Sequence, residues 1–243
     1  MLRFLPHGLA TQLEFTVDGG HPVRQYFAYG DAGDALRDTR GVTVRWAPWR
    51  RTVMHDLGGR LVFCKHRRGR IWDALREKAA LRQLAGLGLN VPRLLFFGAD
   101  GRDTVIGLEA VPGRPLDALL AEGLDVDRAL AEMPVVVRRL HEAGWVYRDL
   151  YWNHVFAQEG GSGLWLVDVE RAFQPRFRFE RWRIKDLAGM VSSWPAAAPI
   201  SRAAGLRFLR DALGGLPPGY KDLTRRVIAK AGRIRGHVTK YPG

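Results

Sequence analysis

Cysteine is nearly missing from this chain of 243 residues: Cys64 is the single one. One thiol excludes an intrachain disulfide and a multi-thiolate metal centre, and it suits a reducing compartment. Long apolar runs are missing as well. No stretch approaches the ~18–20 consecutive apolar residues that a membrane-spanning helix needs. The opening MLRFLPHGLATQLEF is broken early by Pro6, His7 and Gly8 and makes a poor export signal. Acidic residues are scarce beside basic ones: 25 Asp and Glu against 38 Lys and Arg leave a formal charge of +13. That imbalance points to an acidic partner, whether nucleic acid, an anionic membrane face or a phosphorylated glycan. The expected protein is cytoplasmic, touching a membrane at most from its surface.

The length permits one large domain or two small lobes, and the patterning favours two. Asp31–Gly41 is polar and Gly-punctuated and reads as a loop with one helical turn. VTVRW, RTVMHDL and RLVFCKH then read as short strands joined by the tight turns at Ala47–Arg50 and Gly58–Gly59, which predicts an antiparallel sheet. WDALREKAALRQLAGLG has helical spacing and stops at Gly86 and Gly88. Within it Glu77 shares a face with Ala80, Leu81 and Leu84, so it points inward with the apolar stripe. VPRLLFFGADG and DTVIGLEAV predict two more strands. The break in composition at Pro112–Pro115 is the expected lobe boundary, giving lobes 1–111 and 112–243. Beyond it Val126, Leu130, Met133, Val137 and Leu140 mark an amphipathic helix that Pro134 should kink or restart. HVFA and LWLVDV flank the turn QEGGSG as a hairpin, and the remainder reads as helices.

The stretch LHEAGWVYRDLYWNHVF carries the chemistry. Its Asp149 precedes the hairpin, and the hairpin returns the chain to the same end at Asp168. Two carboxylates distant in sequence are thereby brought to one end of a sheet, an arrangement that suits divalent-metal binding or a division between base and metal roles. Either Asp alone would more often be a turn or capping residue.

LHEAGWVYRDL resembles the protein-kinase catalytic loop, LVDVE sits where kinases carry Asp-Phe-Gly, and VFCK resembles the strand that bears the kinase lysine. YRDLYWNHVF, LVDVERA and RWRIKDLAGMVSS together resemble the bacterial lipopolysaccharide core kinases, the heptose and Kdo sugar kinases of the protein-kinase-like superfamily. The resemblance runs in register from about Val42 to about Ser193. It implies an α+β, two-lobed protein-kinase-like fold, with an antiparallel β-rich first lobe holding one helix and a helical second lobe. It further implies an ATP- and Mg2+-dependent kinase acting on a lipopolysaccharide core precursor at the anionic inner-membrane surface, with a heptose favoured over Kdo as acceptor. In the implied roles, Asp149 is the catalytic base, Lys65 contacts the ATP phosphates, and Glu77 fixes Lys65. Asp168 and His154 hold the metal, and Glu109 meets the adenine. Asp186 either ties the catalytic loop down or caps a helix, and Arg148 positions the loop.

The sequence departs from that pattern in ways that carry meaning. Tyr147 replaces the usual His of His-Arg-Asp, a packing-level change. No Gly-x-Gly-x-x-Gly precedes Lys65, and the equivalent turn is APWR, so phosphate coverage falls to other backbone groups or to Arg50 and Arg51. Asp186 follows Asp168 too closely for a long activation segment, which disfavours a peptide substrate. The basic runs KHRRGR, RWAPWRR and RFRFERWR suit the acidic groups of lipopolysaccharide precursors. The competing readings are a nucleic-acid binder, drawn from the Arg and aromatic alternation in RFRFERWR, and a pseudokinase scaffold. Retention of Lys65, Glu77, Asp149 and Asp168 together weighs against the latter.

Overall fold

Alternating β-branched, aromatic and polar residues build six antiparallel strands in the computed structural model, which describes residues 11–198 and 200–238. Those strands are β1 (Thr11–Phe15), β2 (Val42–Ala47), β3 (Arg50–Asp56), β4 (Leu61–Arg67), β5 (Leu94–Asp100) and β6 (Asp103–Glu109), ordered β1-β5-β6-β4-β3-β2. Between β1 and β2 run two short helices, α1 (Pro22–Tyr26) and α2 (Ala32–Arg37), and α3 (Ile71–Gly86) follows β4. The second half of the chain holds a small sheet of β7 (Arg114–Pro115), β8 (Val155–Ala157) and β9 (Trp165–Leu166). Its helices are α4 (Leu116–Ala121), α5 (Asp127–Glu142), α6 (Phe179–Ser192), α7 (Arg202–Ala212) and α8 (Tyr220–Val238). The export-signal reading of the first ten residues lies outside the described residues. Among the described residues no helix is long and apolar enough to cross a membrane.

Two compact units result. One comprises the chain up to Arg82 with Pro92–Ala110, the other Gln83–Val91 with Val111 onward. The end of α3 and the turn after it belong to the second unit, where two carbonyls of the turn find donors. Arg139 donates to the Gly88 carbonyl at 3.1 Å, and Leu166 N donates to the Asn90 carbonyl at 2.9 Å.

Period-two alternation sorts the first sheet into two faces. Val62 and Cys64 on β4 join Phe96, Val105, Phe27 and Ala35 in an apolar core beneath the α1–α2 segment. Lys65 falls on the opposite face, and Arg67 shares it two residues on. On β1 the apolar Leu13 and Phe15 pack on that core, while Glu14 pairs with Lys78 at 2.6 Å and with Arg82, both on α3.

Within Asp31–Gly41, expected as a loop with one helical turn, the six residues of α2 are helical and the rest is loop. The reason is a capping box: the Asp31 side chain accepts from Asp34 N at 2.9 Å while Asp34 accepts from the Asp31 backbone. Pro134 does not restart its helix, since α5 is a single helix with Pro134 buried inside it. Met133, Val137 and Leu140 bury completely along the expected stripe. The hairpin around QEGGSG forms but its strands are short: Val155 pairs with Leu166 and Phe156 with Trp165.

Candidate active site

The first unit contributes a buried charge cluster. Lys65 Nζ lies 2.7 Å from Glu77 Oε1, and the second oxygen of Glu77 takes Arg67 Nη2. The Lys65 side chain is 11% exposed, that of Glu77 1% and that of Arg67 0%. Burial alone would raise the Glu77 carboxyl. Lys65 and Arg67 outweigh it and hold the group below its ordinary range, so Glu77 is an anion. The sequence reading placed Lys65 and Glu77 but not Arg67, although its position two residues after Lys65 on one strand face was a usable signal. Arg51 is a different case. Its cross-strand partner is His66, on the face opposite Lys65, and its guanidinium donates to the Asp38 carbonyl at 2.7 Å. Arg51 therefore faces away from Lys65, whereas Arg50, paired with Arg67, shares the Lys65 face. Glu109 ends β6, where its carboxylate pairs with Arg60 at 3.4 Å and its N–H donates to the Arg93 carbonyl at 3.0 Å.

The second unit holds the loop that carries Asp149. Its anchor is Asp186, fully buried inside α6 rather than at a cap. The Asp186 carboxylate accepts from Tyr147 N and Arg148 N, both at 2.7 Å, and lies 3.2 Å from His141 Nε2. Of the two readings of Asp186, the structure gives the loop tie. Tyr147, buried in place of the usual His, also hydrogen-bonds the Val167 carbonyl, and Val146 exchanges backbone bonds with Phe173. The chain before Asp149 is thereby stitched to the chain around Asp168. Arg148 and Asp168 both adopt left-handed backbone, with φ of 70° and 61°. Such strain persists only where surrounding bonds over-determine it, and it concentrates at functional sites.

Further support comes from α6. Trp152 Nε1 donates to the Met190 carbonyl at 2.8 Å, and Trp152 N donates to Ser193 Oγ at 3.1 Å. Gly189 lets the helix backbone approach so closely that a Cβ there would sit 2.6 Å from the Leu150 carbonyl oxygen.

Asp149 itself is flanked by two cations. Arg171 Nη1 lies 2.9 Å from Asp149 Oδ1, and Lys185 Nζ lies 4.0 Å from the same atom. Burial lowers the Lys185 ammonium against the opposing pull of Asp149, and Arg171 and Arg148 add to the lowering. Both residues stood inside quoted motifs, yet their meeting with Asp149 needs the fold. His154 Nδ1 lies 2.8 Å from the Asp149 carbonyl oxygen. A carbonyl only accepts, so Nδ1 carries the proton and Nε2 holds the lone pair in the neutral ring. Among the described residues no three His, Cys, Asp or Glu gather into a group able to hold a metal unaided. Magnesium suits such a sparse protein donor set, because it keeps waters and substrate phosphate oxygens in its shell.

Residues 47–211 match the family described as Lipopolysaccharide kinase (Kdo/WaaP) family. The chain belongs to that family. Its relatives include the lipopolysaccharide core heptose(I) kinase WaaP of Escherichia coli, 26% identical over 71% of this chain and 78% of that protein. The enzyme of the same name from Pseudomonas aeruginosa is also 26% identical, over 78% of this chain and 83% of that protein. Among solved structures, WaaP in complex with acyl carrier protein aligns with a TM-score of 0.73 and 23% identity, covering 93% of this chain and 99% of that one. An aminoglycoside-3'-phosphotransferase of type VIII aligns with a TM-score of 0.51 and 20% identity, over 82% and 97% of the respective chains. The fold is therefore the α+β kinase-like one, and this lipopolysaccharide kinase family member is a phosphotransferase.

The α6 support carries a prediction. Gly189→Ala should push the Leu150 backbone away and misplace Asp149, lowering kcat by about tenfold or more with nucleotide KM little changed. Steady-state kinetics on the folded variant would check it, and an unaltered kcat would show that α6 does not set the position of the loop.

Proposed function

We propose that this lipopolysaccharide kinase family member transfers the γ-phosphoryl group of ATP to a heptose hydroxyl of the lipopolysaccharide inner core, working on the anionic cytoplasmic face of the inner membrane. The observation that carries the reading is the Asp149 carboxylate, fixed by the Asp186-anchored loop and flanked by Arg171 and Lys185. The two named relatives being heptose(I) kinases favours heptose over Kdo.

In this reading Asp149 orients the acceptor hydroxyl and takes its proton as the new oxygen–phosphorus bond forms and the bond from γ-phosphorus to the ADP oxygen breaks. Lys65 contacts the nucleotide phosphates, with Glu77 and Arg67 fixing its position. Arg171 and Lys185 place positive charge beside the transferring group, where preorganised charge lowers the barrier. Asp168 and His154 Nε2 would hold magnesium, and Glu109 would meet the adenine. Magnesium, when bound, would neutralise charge on the phosphate oxygens. The excess of basic residues serves attraction to the anionic leaflet and to the acidic precursor.

Two delipidated acceptors separate heptose from Kdo. Incubated with ATP and magnesium, a heptosylated core glycan should gain one phosphoryl group by mass spectrometry, and a glycan ending in Kdo should gain none. Phosphorylation of the Kdo-only glycan would assign the Kdo reading instead. Turnover of neither, with salt-sensitive retardation of nucleic acid, would replace both.

A further inference from the structure

Two basic runs, RWAPWRR and KHRRGR, hold more cations than the phosphotransfer chemistry uses, which draws on Lys65 and Arg67 alone. The fold brings them together. The β2–β3 turn and the end of β4 meet the end of α2 around a cavity of about 440 Å³ in the first unit. Five of the lining residues are arginines (Arg37, Arg50, Arg51, Arg67 and Arg68), and Asp103 is the one carboxylate among them. Asp103 is already engaged, since its Oδ1 accepts from Gly69 N at 2.7 Å.

Arg50 and Arg67 border the cavity from the Lys65 face, whereas Arg51 and His66 line it from the other face. Arg51 is the cross-strand partner of both Trp46 and His66, and all three belong to the face of the sheet that α1 and α2 cover. Arg37 enters from α2 itself, with its side chain 71% exposed. His66 is nine-tenths buried, and its Nδ1 has no hydrogen-bond partner among the described residues. Burial first, and the nearby Arg51 charge second, push this imidazole down to about 4, so it is neutral at physiological pH. A neutral ring can still donate to an anion through whichever nitrogen carries the proton. Arg37 pairs with Asp34 at 3.0 Å and Arg67 with Glu77, yet five arginines still leave the lining with a formal excess of positive charge that favours an anion. Guanidinium groups also match phosphate oxygens by bidentate geometry. Trp46, largely exposed, and Trp49, stacked under Arg70 at 4.6 Å, add flat apolar walls. Those walls suit the body that carries the phosphate better than the phosphate itself.

We infer that this cavity is a second anion site, which takes a phosphate monoester through Arg37, Arg51, Arg68 and His66. These groups are not the ones assigned to the nucleotide phosphates, and the site stands whether or not the heptose reading does. The same chemistry is offered by a soluble phosphate and by a phosphate displayed on a lipid.

The test follows the His66 imidazole by proton NMR during titration with inorganic phosphate, with chloride at matched ionic strength as control. Wild type should show a saturable shift of the His66 resonance. The exposed pair R37Q/R68Q should bind about tenfold more weakly or worse, the scale of losing charge-assisted bonds to a phosphate. Vesicles of phosphatidylcholine with phosphatidic acid, against vesicles with phosphatidylglycerol at equal surface charge, separate the sources. Tighter binding to the monoester lipid, lost in R37Q/R68Q, assigns a lipid-borne phosphate. A phosphate response with no preference between vesicles assigns a soluble one. No saturable shift at His66, or the same affinity in R37Q/R68Q, overturns the site. Because R37Q and R68Q change exposed side chains, their circular dichroism and melting temperature should match wild type, so a lost response is not a lost fold.

Discussion

Asp149→Asn is expected to lower phosphotransfer by ~10²-fold or more while nucleotide binding persists, because an amide cannot take the acceptor proton. The substitution keeps the shape of the side chain and its capacity to accept from Arg171, which meets Asp149 Oδ1 at 2.9 Å. The loop is held independently by Asp186 through Tyr147 N and Arg148 N, so the fold should be unaffected. Turnover and nucleotide affinity measured on the same sample separate the cases. A variant within a few-fold of wild type would remove Asp149 from the base role. A variant that loses nucleotide affinity as well would mean the residue holds structure or metal.

Glu77→Gln should be the largest single loss of stability at the site. It leaves Lys65 and Arg67 buried without their shared carboxylate, and removing one partner of a buried ion cluster costs about 3–5 kcal/mol. The pH dependence gives a second handle. The folded-state value of Glu77 lies below its ordinary 4.5, since the two cations outweigh burial. Its stabilisation is therefore fully present above that ordinary value and is lost as pH falls through the lower folded-state value. Urea unfolding of both proteins should show a gap that is constant near neutrality and closes in acid. A gap under about 1 kcal/mol at neutral pH would contradict a buried, charge-dependent cluster, since exposed pairs have that size.

Features encoded by local pattern were legible in the sequence. The alternation in VTVRW and RLVFCKH gave β2 and β4, and the helical spacing around Glu77 correctly turned that carboxylate inward. The turn residues of QEGGSG marked the hairpin that returns the chain to Asp168. Less legible were features whose cause lies across the fold. β1 was hidden because TQLEF alternates over only five residues, and its polar side is explained by Lys78 and Arg82, some sixty residues on. The short helix α2 was read as a single helical turn in a loop, and its extent rests on the Asp31–Asp34 capping box. Arg50 and Arg51 were offered together, beside other backbone groups, as phosphate cover, but the two lie on opposite faces of the sheet, since a shift of one residue changes the face. Arg171 and Lys185 reach Asp149 only once α6 and the turn after Asp168 are in place. Spacing in sequence does not show that meeting.

The most direct test of the account is to locate the transferred phosphate. A heptosylated core glycan treated with wild-type protein, ATP and magnesium should give a product whose phosphorus–proton correlation spectrum couples the new phosphate to a heptose ring proton. The Asp149→Asn protein should give no such cross-peak under the same conditions. A phosphate coupled to a Kdo proton, or ATP consumed with only inorganic phosphate released, would contradict the claim that this chain is a heptose kinase working through Asp149.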